Sequence, residues 1–490
     1  MYLSINYKIR KILWITCYGL IYIIFMNLEL SFAQDVPLRN SEPIDSVIAD
    51  LKSYIPDRMI EANVPGLAIA LIRNNQVVWT DGFGVANRWT GKLISSKTVF
   101  EVASISKVVT AYIALRLIES GQLSLDEPVH TYLKKTWLPP TALGNKITLR
   151  HLLSHSSGLG DDPFFKNKSI MFEPGTDFLY SGLGAEYVKE IIEQRLEKSL
   201  EVVATENVFI PLDMSGSSFV NETSVMNQMA NGHMRYLLIF IAFLIPFILI
   251  IVIFGIITLI LNRLIKKSWR LAWQLQIGVT VLALVLTELL LYIFIGKPFP
   301  NLIWMTILCA LVFFTFLFLS YIFCQRTILQ IKIIQQKKVL IATITTLWMV
   351  ISLTIFLIIA NFLKGPVPVN NSDEASAIGS LRSTAPDLAT FLLELTNPRY
   401  LSKEIASQID SAQINISRDF SWGLGIGIQH TIYGDAIWQN AITFAYRGIM
   451  VIYPREGFGV VVLTNSESGL QVAYDIAARA LGGEAKWKFF

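Results

Sequence analysis

Hydrophobic positions fall into two patterns along this chain. Between residues 236 and 363 they run almost without interruption in four blocks, 236–261, 271–295, 302–323 and 339–362, whereas elsewhere they are interleaved with polar residues. Each block reaches the roughly 20 residues that an α-helix needs to cross the hydrocarbon core of a bilayer. The connectors after the first and third blocks, NRLIKKSWR and CQRTILQIKIIQQKK, are rich in Lys and Arg, while GKPFPN after the second carries a single lysine. The positive-inside bias puts the two basic connectors in the cytoplasm. Four crossings return the chain to the side it left, so residues 34–235 and 364–490 are expected on one outer face.

Outside the blocks the pattern predicts a mixed domain. GLAIALIRNNQVVWTDGFGVAN reads as two strands around a tight turn at Asn74 and Asn75. SISKVVTAYIALRLIESGQ places Val108, Ala111, Leu115, Leu117 and Ile118 at helical spacing, with Gly121 as its stop. TLRHLLSHSSG predicts a second helix that starts behind Thr148 and ends at Gly158. STAPDLATFLLEL predicts a third, with Ser383 and Thr384 to cap it and Pro386 in its first turn. SWGLGIGIQ, GIMVIYP and GFGVVVLTN read as strands, and LQVAYDIAARAL as a closing amphipathic helix. Strands at both ends with helices between them predict an α+β architecture whose antiparallel sheet is built from the two termini. The membrane segment is then an insertion in a surface loop of one outer domain.

Composition supports this division. The chain is 53% hydrophobic and only 16% charged, with a mean hydropathy of +0.50, where a soluble domain carries about 25% charge. A net charge of +4 without a basic patch interleaved with aromatics excludes nucleic acid as a partner. At the N-terminus Lys8, Arg10 and Lys11 precede an apolar stretch, and Ser31-Phe32-Ala33 offers a small-x-small cleavage site. Residues 1–33 therefore read as a signal peptide or an N-terminal anchor, and either delivers the next segment across a membrane. Cys17, Cys309 and Cys324 all lie in or beside apolar stretches, so the polar parts hold no disulfide and no thiol chemistry.

Candidate chemistry begins at Ser104 and Lys107. They lie three apart where the first helix opens, on one face, so the amine is in reach of the hydroxyl. A helix N-terminus favours negative charge and would help an oxyanion. Downstream, FEPGTDFLYSGLGAEYV sets Tyr180 in a Gly-rich turn. A phenol near a lysine ammonium ionises more easily and can exchange a proton with a serine, although packing is the other role open to a lone tyrosine. His151 and His155 are four apart, a spacing that can hold zinc. No Glu follows His151 and no third ligand is evident, so neither a metal nor a cofactor is expected.

Together these segments resemble the serine β-lactamase-like family, which includes class C β-lactamases, D-Ala-D-Ala carboxypeptidases, D-aminopeptidases and esterases. FEVASISKVVTA looks like its SxxK segment, LLSHSSGL like the LLxHTSGL stretch, and FEPGTDFLYSG like PGxxFxYSN; GSLRSTAPDLATFL and YPREGFGVVVLTNSESG match the later helix and C-terminal strand. The resemblance implies a β-lactamase/transpeptidase-like fold, an antiparallel sheet flanked by helices plus a helical lobe. Its two parts, 34–235 and 364–490, would be separated by a four-helix transmembrane bundle at 236–363. It implies Ser104 as the acylated nucleophile, with Lys107 and Tyr180 moving its proton. The oxyanion hole would use the nucleophile's own N–H and one on the strand of the third motif.

Two motifs depart from the family pattern. Gly182 replaces the asparagine of YxN, and Gln439, Asn440 and Ala441 stand at the third motif, usually KTG or HxG. The cationic or imidazole group is therefore missing, and alanine replaces the glycine beside which substrate lies. The expected function is a membrane-anchored extracytoplasmic serine hydrolase acting through an acyl-enzyme on amide or ester substrates, such as D-amino-acid peptides of the cell wall. Its expected partners are that small substrate and the lipid bilayer. The alternative is a catalytically impaired binding or sensory module coupled to the bundle.

Overall fold

The computed structural model describes residues 37–160, 168–235, 364–366 and 373–489. A hairpin opens the sheet. Strand β1 (Gly66–Arg73) turns into β2 (Gln76–Asn87) through Asn74 and Asn75 at φ 52° and 57°. Two successive left-handed residues match the right-handed twist of the flanking strands, and asparagine tolerates that conformation. Strand β3 (Lys92–Leu93) adds to β2, and six strands from the C-terminal part complete the sheet: β4 (Ile414–Asn415), β5 (Phe420–Trp422), β6 (Gly427–Gln429), β7 (Ala436–Ile442), β8 (Arg447–Tyr453) and β9 (Phe458–Thr464). Their order is β3-β2-β1-β9-β8-β7-β6-β5-β4, antiparallel throughout. The two distant parts of the chain meet at its centre, where β1 pairs β9 from Leu67↔Thr464 to Ile72↔Gly459.

Helices cover both faces of that centre. Helix α1 (Ile44–Glu61) and the C-terminal α6 (Gly469–Leu481) present Val47, Leu51, Ile55, Val472, Ile476 and Ala480 to Leu67, Ile69, Val460 and Val462. Helix α5 (Ala385–Thr396) packs on β1 and β9 from the other side. Both strands are buried along their whole length. That is why GLAIALIR and FGVVVLT are continuous apolar runs rather than alternating ones. Burying each such Leu, Ile or Val is worth about 1.5–3 kcal/mol, so this slab is where the fold is held.

The stretch read as one strand, SWGLGIGIQ, is two. It breaks between β5 and β6, where Gly425 takes φ +91° and a Cβ on it would lie 2.3 Å from the Cβ of Ala111. Ala111 belongs to α2 (Ile105–Glu119), so this glycine is what lets the turn touch that helix. The helix expected over 148–158 is also shorter: α3 covers only Leu149–Leu153. Thr148 caps it, accepting from the His151 N–H while the His151 ring accepts from Thr148. The chain then leaves the helix at His155, whose φ is +55°. Helix α4 (Gly182–Leu196) begins behind Ser181, whose Oγ accepts from the Gly184 N–H; α2, α3 and α4 pack together as a lobe.

The chain divides into two compact units, 1–232 with 368–490, and 233–367. In the second, His233–Arg235 pairs antiparallel with Lys364–Pro366, so its ends run side by side. The four apolar blocks and the N-terminal signal lie outside the described residues. Among the described residues no helix is long and apolar enough to cross a membrane.

Candidate functional site

Ser104 lies between a short strand and a buried helix. Phe100–Glu101 pairs with Arg382–Ser383, joining the two parts of the chain, and after three intervening residues α2 begins. The link between them is tight. Ala103 adopts φ +45°, a left-handed conformation that clashes with its own Cβ. Such backbone costs about 1–3 kcal/mol and persists only where the surroundings enforce it. Ser104 then takes the capping position of α2, but its side chain makes no capping bond. Its partly exposed Oγ instead accepts from Lys107 Nζ at 3.1 Å.

Lys107 is almost completely buried, on a helix whose faces are nearly all covered. Its amine also donates to the Ile378 carbonyl at 2.8 Å and lies 5.3 Å from the centre of the Tyr180 ring. The three residues singled out in the sequence are thus gathered at one point. Tyr180 is fixed by its own neighbours: its ring packs on His155 at 4.4 Å and edge-on to Trp422 at 5.5 Å. Its hydroxyl accepts from Gln439 Nε2 at 3.4 Å.

Behind Tyr180, His155 is buried, and its Nδ1 accepts from the Ser181 N–H at 3.2 Å. Burial first, and then the Lys107 charge, push its pKa down to about 3. The imidazole is therefore neutral with its proton on Nε2, a wall for Tyr180 rather than a base. His151 and His155 have ring nitrogens engaged by different backbone N–H groups, of Thr148 and Ser181.

The third-motif residues separate by strand alternation. On β7, Gln439 and Ala441 share the face that meets Tyr180, whereas Asn440 lies on the opposite face with Ala436 and Trp438. Those two belong to the core under α6, and Asn440 there neighbours Tyr474. The Asn440 side chain therefore lies away from the site, while its carbonyl accepts from Gln439 Nε2 at 3.0 Å. Gly182 opens α4 and contributes no side chain. Sequence reading weighed His155 only as a possible zinc ligand, not as a neighbour of Tyr180, and missed Trp422 and the Ile378 carbonyl. The two rings act by packing, and a carbonyl carries no residue signature.

A second serine also has a base in reach. Ser421 Oγ lies 2.7 Å from His430 Nε2, and His430 Nδ1 lies 2.9 Å from Asp435 Oδ1. Yet Ser421 is 1% exposed, within β5 between β4 and β6, and its Oγ also donates to Asn415 Oδ1 at 3.0 Å. A buried hydroxyl in a ladder meets no substrate, so this array ties strands together.

Residues 51–236 match the Beta-lactamase family. Esterase EstB of Burkholderia gladioli is 32% identical over 117 residues, 24% of this chain and 30% of its own length. Penicillin-binding protein 4 of Amycolatopsis lactamdurans is 26% identical over 196 residues, 36% of this chain and 50% of its own. The chain thus spans half or less of the length of these relatives. Two solved structures share the fold. The octameric penicillin-binding protein homologue from Pyrococcus abyssi superposes with a TM-score of 0.56 at 20% identity, covering 90% of this chain and 79% of that one. The D-alanine carboxypeptidase AmpC from Burkholderia cenocepacia gives 0.54 at 14%, covering 89% and 99%. The SxxK serine at the head of a buried helix, the nearby tyrosine and this sheet order thus occur in a chain whose residues 51–236 are similar to the Beta-lactamase family.

Proposed function

We propose that this protein is a serine hydrolase that forms an acyl-enzyme on Ser104. The observation that carries the reading is the contact of Lys107 Nζ with Ser104 Oγ at 3.1 Å, beside Tyr180. Ser104 Oγ attacks the carbonyl carbon of an ester or amide. Its proton passes to the Lys107/Tyr180 pair and from there to the leaving oxygen or nitrogen, which departs with it. Water then attacks the acyl-serine, giving its proton to the same pair, and the acid leaves as Ser104 is reprotonated. The developing oxyanion is held by the backbone N–H groups of Ser104 and Ala441, each such donor being worth about 3–4 kcal/mol.

The substrate class follows from the wall opposite Ser104. Gln439 and Ala441 carry no charge, so nothing on that strand pairs with a carboxylate beside the scissile bond. Neutral esters and amides are favoured over acyl-D-amino acids with a free carboxylate, and true β-lactamase turnover is disfavoured by Gly182 as well. The outer-face location and anchoring by residues 236–363 belong to the same proposal, supported by the four apolar blocks and their basic connectors.

The test is covalent labelling of the full chain in detergent with a fluorophosphonate, followed by turnover of a neutral acyl ester against a D-Ala-D-Ala peptide. Labelling that disappears in Ser104→Ala and faster ester turnover are expected. Absence of labelling at every pH would overturn the hydrolase and leave a binding module in its place.

A further inference from the structure

In this structure the Ile378 carbonyl accepts from Lys107 Nζ at 2.8 Å. That carbonyl sits in an irregular segment, 376–380, with no helix or strand to fix it.

What fixes it comes from α4. Glu186 lies one turn beyond Gly182, on the same face of that helix. Its Oε1 accepts from Ser376 Oγ at 2.5 Å and from the Ile378 N–H at 3.3 Å. The Ile378 N–H is shared with Ser376 Oγ at 3.2 Å, so one carboxylate oxygen clamps both ends of a three-residue turn. Ser380 closes the far side: its Oγ accepts from the Ser376 N–H at 2.8 Å and donates to the Phe219 carbonyl at 2.9 Å. The next residue, Leu381, donates its N–H to Ser106 Oγ on α2 at 3.0 Å. The carboxylate itself is mostly buried and lies 3.7 Å from Lys189 Nζ, which also neighbours Glu193 at 3.9 Å.

We propose that Glu186 is a positioning residue for Lys107: through Ser376 Oγ and the Ile378 N–H it holds the Ile378 carbonyl against the amine. The inference rests on the hydrolase reading above. Around Lys107 stand Ser104 on its own helix, the Ile378 carbonyl, the Tyr180 ring and the neutral His155; Glu186 acts on it through the 376–380 segment, and the uncharged Gln439 meets Tyr180. Loss of the Glu186 clamp removes an acceptor from the ammonium, so the lysine releases its proton more readily.

The test uses the full chain and the fluorophosphonate labelling rate across a pH series. Glu186→Ala is expected to slow labelling about tenfold, the scale on which a loosened catalytic group loses rate, with KM for the ester unchanged and the pH limb of Lys107 moved to lower pH. Glu186→Gln keeps the accepting oxygen and should stay within about twofold of wild type. Retention of rate and pH profile in Glu186→Gln, against their change in Glu186→Ala, is a split that a merely structural role would not give. A Glu186→Ala profile that superposes on wild type, or a Glu186→Gln variant as impaired as Glu186→Ala, overturns the proposal. Failure of Ser104→Ala to abolish labelling would instead sink the underlying hydrolase reading, so the two failures are told apart.

Discussion

Ser104 and Ser421 make an instructive pair. Each has a nitrogen base within about hydrogen-bond reach, Lys107 Nζ at 3.1 Å and His430 Nε2 at 2.7 Å. By distance alone the second is the better match to a catalytic triad, because Asp435 backs the histidine at 2.9 Å. The difference lies in the backbone around them. Ser104 follows a left-handed Ala103 and opens a helix, and its Oγ is partly exposed. Ser421 sits inside a strand flanked by two others and is 1% exposed. A nucleophile is made by access and by oriented donors, and the hydrogen bond to a base comes after these.

The largest effect should break that comparison outright. Ser104→Ala is expected to lower fluorophosphonate labelling by about a thousandfold or more, as loss of a covalent nucleophile does. Intact labelling of this variant, with probe attached elsewhere by peptide mapping, would transfer the role to another serine. Next in size are the two proposed proton carriers. Lys107→Met and Tyr180→Phe should each cost about 10²–10⁴-fold in ester turnover, the range of general acid–base catalysis. A steady-state assay on both variants checks this, and near wild-type turnover in Tyr180→Phe would reduce the phenol to packing on His155 and Trp422.

Much of this site was legible in the sequence, for physical reasons that can be named. Ser104 and Lys107 share a helical face at fixed spacing, and that geometry follows from the helix itself. The strands β1 and β9 announced themselves because strands covered on both faces must be apolar throughout. Tyr180 was read only through its surrounding motif, since its neighbours His155, Trp422 and Gln439 arrive from three separate segments. The Gly425 break was hidden because its cause, the Ala111 contact, lies over 300 residues away in the chain. Asn440 was misplaced because a run of three motif letters ignores strand alternation, which sends the middle one to the α6 side.

Two histidines sharpen the contrast further. His430 is 36% exposed on its side chain beside Asp435, whereas His155 is buried behind Tyr180. The folded pKa of His155 is pushed down to about 3, below its ordinary 6.5. Between those values the unfolded chain binds a proton that the folded protein does not, so stability is lost as pH falls below 6.5. The slope should approach about 1.4 kcal/mol per pH unit for this one group. Urea melts at a series of pH values measure it, and His155→Gln should flatten the slope relative to wild type. An unchanged slope would mean that His155 is solvated, with Tyr180 losing its neutral wall.

The smallest effect bears on Ser421. Removing its hydroxyl deletes the Asn415 and His430 contacts but opens no route to substrate. Ser421→Ala should therefore leave labelling of Ser104 within about twofold and cost about 1–3 kcal/mol of stability, the usual worth of two buried hydrogen bonds. A null effect on both readouts would leave the strands tied by their ladder alone. A large loss of labelling with the fold intact would be more informative, because β5 also carries Trp422. It would mean that Ser421 governs the position of that ring against Tyr180, and the two serines would then be coupled through the sheet rather than separate.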